Sequence, residues 1–154
     1  MKKIITVLLV LTFGIIHVNA AGSDPVNKSV KVSFTKEFST VKDVTWSFVK
    51  EQDLFKATFN YNNKQLNAYF TRAGEFIGIS RYISIQQLPV MLSKTIQERY
   101  SKFQVRTVIE STSNSEISYF VTMDGEKYAQ IVKVSSNGDV TQFKKIKKTD
   151  GYQL

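Results

Sequence analysis

A repeat with a fixed offset constrains this chain more than any other feature. Val26, Val30, Phe34 and Phe38 recur at every fourth position, and Leu88, Leu92, Ile96 and Tyr100 do the same, each exactly 62 residues after its counterpart. Residues four apart share one side of a helix, and three such steps drift only about 120°, roughly the width of an amphipathic stripe. The spacing therefore predicts two equivalent helices, at about 26–38 and 88–100. Pro25 and Pro89 stand near their starts, where a missing N–H costs no hydrogen bond.

After each helix the apolar period drops to two, the mark of half-buried strands. Val44, Trp46 and Phe48 alternate with polar residues, as do Phe55, Ala57, Phe59 and Tyr61, and then Leu66, Ala68 and Phe70, with turns at Asn62-Asn63 and Arg72-Ala73-Gly74 and a fourth strand over Phe76 to Ile83. The second half repeats the order: Val105 to Ile109, the alternation of Ile117, Tyr119, Val121 and Met123, a turn at Asp124-Gly125, a strand from Tyr128 to Val134, a turn at Asn137-Gly138 and a last strand from Val140 to Ile146. The offset grows from 62 to 64 by Gly74 and Gly138, so one two-residue insertion reconciles the halves. The register over Val105 to Ile109 is ambiguous, because its apolar positions do not match those of Val44 to Phe48. These elements predict an α+β protein built as a tandem repeat of a helix plus a four-stranded antiparallel meander, the helices packed on one face of a shared, curved sheet. Copies of about 60 residues, here about 25–83 and 88–148, are marginal alone, so one cooperative domain is expected.

The first twenty residues read as a signal peptide. Lys2-Lys3 is followed by an uncharged apolar run from Ile4 to Val18 and by Val18-Asn19-Ala20, small residues suited to a signal peptidase. The run is 15 residues long, shorter than the roughly 20 that span a bilayer. Cleavage after Ala20 leaves residues 21–154 as the mature, periplasmic or secreted domain, with no stable membrane insertion expected. Loss of Lys2 and Lys3 lowers the basic residues from 21 to 19 against 13 acidic ones, a net charge of +6. Its basic residues are scattered rather than clustered, which argues for solubility and against nucleic acid. The chain has no cysteine, so neither a disulfide nor a lipid-modified cysteine holds or anchors it.

The ordered set of Val26, Val30, Phe34 and Phe38, then Val44-x-Trp46, Lys56-Ala57-Thr58-Phe59, Ala68-Tyr69-Phe70, the Gly74-Glu75 turn, and Ser80-Arg81-Tyr82-Ile83 running into Leu88-Pro89 resembles the PepSY-like, beta-lactamase-inhibitor-protein-like secreted domains of Gram-negative bacteria. The resemblance covers nearly the whole mature chain. It implies tandem α/β repeats whose sheet offers a curved surface, and a role in binding other extracytoplasmic proteins or peptides. The inhibitor that lends the family its name is stabilised by disulfides, which are missing here. Fold analogy does not transfer a target, so inhibition of a beta-lactamase does not follow.

Residue chemistry narrows the function further. The sole histidine, His17, lies in the predicted signal peptide, so the mature domain has neither His nor Cys. This removes Ser-His-Asp and Cys-His nucleophiles, histidine acid–base catalysis and ordinary zinc or copper sites. Ser33-Phe34-Thr35-Lys36 matches a Ser-x-x-Lys pattern without its companion elements. Glu51 with Asp53 and Asp124 with Glu126 fall at hairpin ends, where acidic residues are ordinary turn formers. No enzyme, cofactor or metal is expected.

Surface composition points to binding. If Phe55, Ala57, Phe59, Leu66, Ala68 and Phe70 face a helix, alternation turns Tyr69 the other way, and Phe120 likewise when Tyr119 and Val121 face in. Phe76 and Tyr82 are expected beside them, with Lys56 and Lys133 at the rim, as exposed aromatics of a protein-binding surface. Trp46 is assigned to the core. Lys144-Lys145-Ile146-Lys147-Lys148 suits an exposed edge strand protected against pairing. The expected function is a non-enzymatic extracytoplasmic binding protein, an inhibitor or modulator of a secreted or periplasmic protein or peptide. The alternative is an envelope sensor or carrier that holds a small ligand or an anionic polymer between the repeats.

Overall fold

The computed structural model describes residues 26–148; the predicted signal peptide, its cleavage site and Pro25 lie outside the described residues. Helix α1 spans Lys28–Glu37 and is followed by β1 (Val44–Val49), β2 (Leu54–Tyr61), β3 (Lys64–Thr71) and β4 (Phe76–Ile83). Helix α2 spans Val90–Arg99 and is followed by β5 (Gln104–Ser113), β6 (Glu116–Asp124), β7 (Tyr128–Ser135) and β8 (Val140–Lys147). The eight strands form one antiparallel sheet in sequence order. The chain divides into two compact units between Ile79 and Ser80, inside β4.

Both helices begin about two residues later than their apolar stripes. Asn27 caps α1: its Oδ1 accepts from the Val30 N–H at 2.9 Å, and its amide Nδ2 donates to the Arg72 carbonyl at 2.6 Å. Pro89 precedes α2 and offers no side-chain cap, though its carbonyl accepts from the Ser93 N–H at 3.0 Å. Turn chemistry is local and conventional. Asn62 and Asn63 take φ of 48° and 59°, and Asn114 and Ser115 take 50° and 65°, the pair of left-handed residues that joins two strands without splaying them.

In the amino-terminal unit, Val30 and Phe34 of α1 pack on Phe55, Ala57, Phe59, Leu66, Ala68 and Phe70, with Val26, Phe38, Val44, Trp46, Phe48 and Ile79 around them. The core is aromatic: the Phe34 ring meets Trp46 at 5.3 Å and Phe59 at 5.1 Å, both edge-on. Trp46 is a half-buried wall of this core rather than its centre, because β1 is the first strand of the sheet. Gly74, in the β3–β4 turn, has φ +90°, and a Cβ there would stand 2.9 Å from the Ser29 backbone. Glycine thus lets the turn close on α1.

In the carboxy-terminal unit, Leu88, Leu92 and Ile96 pack on Ile83, Val108, Tyr119, Val121, Met123, Val132 and Val134. This core is mostly aliphatic. In the β7–β8 turn Gly138 has φ +96°, but a Cβ there would meet only Leu92 Cδ2 at 3.8 Å. This turn therefore lies less tightly on α2 than the β3–β4 turn does on α1.

Candidate functional site

Alternation divides each strand between a helix side and a far side. Six buried hydrophobic residues belong to neither helix-packed core: Leu54 and Tyr69 in the amino-terminal unit, and Ile109, Phe120, Ala129 and Ile131 in the carboxy-terminal unit. Within each unit they are buried on the side away from that unit's helix.

In the carboxy-terminal unit the far side is built by register. Ile109 stands opposite Phe120 and Phe120 opposite Lys133, while Thr107 stands opposite Thr122 and Thr122 opposite Ile131, which faces Lys144. Two β-bulges shape this surface. In β5 the register shifts between Val105 and Thr107, and the extra residue, Arg106, donates from Nη2 to Asp124 Oδ2 at 3.0 Å. In β8 it shifts between the partners of Ile131 and Val132, which inserts Phe143. The Phe143 ring meets Phe120 edge-on at 5.3 Å, and the same shift turns Ile146 toward Ala129 on the far side, whereas Val140 packs on the helix side.

Charge on this surface is unbalanced. Asp124 takes ion pairs from Arg106 and Lys148, and the hydrogen bonds from Lys148 first and Arg106 second hold its carboxyl below the ordinary carboxylate range. Lys133 and Lys144 have no acidic partner among the described residues. The helix side differs. There Arg81 Nε donates to Glu110 Oε1 at 2.7 Å, a bond that raises the guanidinium's pKa, and burial raises that of the neighbouring Tyr119 phenol.

The structure separates the residues expected to form one exposed aromatic surface. Tyr69 and Phe120 do point away from the helices, but they are only 3% and 5% exposed. Their expected exposure is corrected: Phe120 lies under Phe143 between Ile109 and Lys133, and Tyr69 stands opposite Lys56 within the sheet. Alternation gives the side a residue faces and not the depth of what surrounds it. Phe76 is 38% exposed, yet its ring packs on Phe38 and Phe70 at 6.0 and 5.4 Å, on the helix side rather than beside Tyr69. Tyr82 alternates with the helix-side Arg81 and Ile83, so it projects on the far side, and it is 60% exposed. Lys56 and Lys133 are half-buried at the far side of their respective units. Ile109, Ile131 and Phe143 were not anticipated as part of this surface. A signal existed for Phe143, since Val140, Phe143 and Ile146 are spaced by three in a strand whose period should be two.

The other candidates assemble no chemistry. Lys36 is exposed and Ser33 half-buried on α1, without the buried lysine that would activate a serine. Asp53 adopts the left-handed conformation at a hairpin end and accepts from Arg72 Nε at 2.7 Å. No group of three or more metal-ligating side chains occurs among the described residues, and no helix among them is long and apolar enough to cross a membrane.

No family model matches the chain, and no curated protein does. Solved structures do. The fold is that of a BLIP-like protein from Bacteroides fragilis, with a TM-score of 0.70 and 16% identity over 86% of this chain and 95% of that one. A DUF2874 family protein from Bacteroides uniformis superposes with a TM-score of 0.68 and 14% identity over 82% of this chain and 92% of that one. A candidate periplasmic protein from Bacteroides eggerthii gives 0.66 and 16% over 82% and 92%. The chain thus has an α+β, BLIP-like fold, one that candidate periplasmic proteins of Bacteroides share.

Proposed function

We propose that this chain is exported, loses residues 1–20, and acts without catalysis as an extracytoplasmic binding protein built from two copies of a helix-plus-four-strand repeat. The far side of the carboxy-terminal unit is the binding surface. The observation that carries this reading is the combination of an exposed Tyr82 with Lys133 and Lys144, which have no acidic partner among the described residues, on the side that holds the apolar floor of Ile109, Phe120, Ile131 and Phe143. An aromatic anchor with flanking cations suits a protein surface that is acidic and partly apolar. The BLIP-like fold of the neighbours and the lack of His and Cys in residues 21–154 support a binding role over a catalytic one. Inhibition or modulation of a secreted or periplasmic protein is one form such binding takes.

The test is capture of a partner from periplasm and culture fluid with residues 21–154, followed by titration with variants. Truncating a central aromatic anchor costs about 2 kcal/mol or more, roughly 30-fold in affinity. Tyr82→Ala should weaken the complex by that factor, and Lys133→Glu with Lys144→Glu should lower the association rate and its salt dependence. Unchanged binding by both would remove the far side of this unit as the site.

A further inference from the structure

The sheet has two edges, and they are finished differently. At one, β8 carries Lys144, Lys145 and Lys147 and is broken by a bulge, two devices that keep a foreign strand from adding to an edge. At the other, β1 is Val-Thr-Trp-Ser-Phe-Val: six residues with no charge, no proline and no glycine, in unbroken register with β2 from Val44 opposite Phe59 to Val49 opposite Leu54. Among the described residues, β2 is the only strand paired with β1. We infer that β1 is a strand-addition edge, which receives an extended segment of another polypeptide.

The chemistry of the edge describes its occupant. Main-chain groups along the outer edge of β1 face solvent and can pair in an unbroken ladder with another extended backbone. On the helix side, Trp46 and Phe48 stand at the rim of the aromatic core, with the Trp46 ring 6.2 Å from Phe70 and Phe48 5.1 Å from Phe55. Apolar side chains at alternate positions of an incoming strand would extend that core. On the other side, Thr45 is exposed and Ser47 half-buried, and these match small polar residues. The segment is therefore uncharged, about six residues long, and alternates apolar with small polar side chains.

A second copy of this chain fits poorly. Two β1 strands related by an antiparallel two-fold must keep their sides matched, so the axis passes through a residue, and the two registers of longest overlap centre on Trp46 and Ser47. The first places Lys42 opposite Lys50 and the second places Asp43 opposite Glu51. Like charges opposite one another at the ends disfavour both pairings. This edge is a different surface from the far side proposed above, and its test is independent of that reading.

Trp46, the sole tryptophan, lies in β1 and reports on it directly. The probe is a capped octapeptide of alternating valine and threonine, N-methylated along one edge so that it cannot associate with itself. Titration should give a saturable change in Trp46 emission and slowed amide exchange in β1. The same peptide methylated along both edges should give neither. Thr45→Lys with Ser47→Lys, which copies the protection of β8, should weaken the response at least tenfold, and so should the single variant Thr45→Lys at an exposed site if the double variant fails to fold. No saturable response, or a response that both lysine variants retain, overturns the inference. A dimer of the unmodified protein that Thr45→Lys dissociates also overturns it, because the occupant would then be a second copy.

Discussion

Phe120 and Tyr82 share a side of the carboxy-terminal unit but differ in depth, which separates stability from binding. Phe120 is 5% exposed and packs edge-on against Phe143 at 5.3 Å. Replacing a buried phenylalanine by alanine costs about 3–5 kcal/mol, and a site bordered by a flexible lysine such as Lys133 relaxes toward the lower figure. For a domain of this size about 3 kcal/mol corresponds to a fall in thermal midpoint of roughly 10–15 °C. Tyr82 is 60% exposed, and its truncation should change stability by about 0.5 kcal/mol or less. Urea and thermal unfolding followed by far-ultraviolet circular dichroism measure both. Phe120→Ala, Phe143→Ala and the double variant form a cycle whose coupling should be about 0.5–1.5 kcal/mol, the worth of an aromatic pair. If Phe120→Ala keeps the parental midpoint while Tyr82→Ala unfolds the protein, the depths assigned to the two side chains are wrong. A coupling near zero would refute the bulged geometry that brings Phe143 over Phe120.

Three further outcomes are expected. Gly74→Ala and Gly138→Ala both place alanine at strongly positive φ, but only the first meets backbone, at Ser29; Gly74→Ala should lose about 1–3 kcal/mol more than Gly138→Ala in denaturant titrations, and equal losses would contradict the close approach. Asp124 has a depressed folded-state pKa, so its stabilisation is complete above the unfolded value of about 3.9 and disappears as the pH falls through the folded value. Asp124→Asn should therefore be less stable than the parent at neutral pH, the two unfolding midpoints converging as the pH falls below the ordinary carboxylate range, and parallel midpoints across the acid range would count against the paired carboxylate. Expressed apart on either side of Ser84, the two halves should each fail to fold, because the division between the compact units falls within β4 and each half has a small core; a dispersed amide spectrum from either half would count against a single cooperative fold.

Much of the fold was legible because local rules agree with one another. The four-residue stripes located α1 and α2, and Asn62-Asn63, Gly74, Asp124-Gly125 and Gly138 marked turns that the structure places as expected. Helix starts were less legible: Asn27, not Pro25, supplies the cap of α1, since its side-chain oxygen reaches the Val30 N–H. The ambiguity over Val105 to Ile109 has a physical cause in the β5 bulge, which displaces Arg106 and leaves Val105 and Val108 three apart on the same side. Val140, Phe143 and Ile146 carry the same three-residue step. The candidate site was legible only in part. Alternation assigned Tyr69 and Phe120 correctly to the far side, but burial there depends on partners brought by the third dimension, such as Phe143 over Phe120 and Lys56 opposite Tyr69. Phe76 misled because the ring contacts with Phe38 and Phe70, rather than its place in the strand, decide where it packs.

Hydrogen-exchange mapping of residues 21–154 with and without a captured partner tests the proposed binding surface most directly. Protection confined to the end of β4 that carries Tyr82 and to β5, β6, β7 and β8, together with loss of the complex on Tyr82→Ala, is the predicted result. Protection centred on α1 or α2, with Tyr82→Ala binding as tightly as the parent, would contradict it.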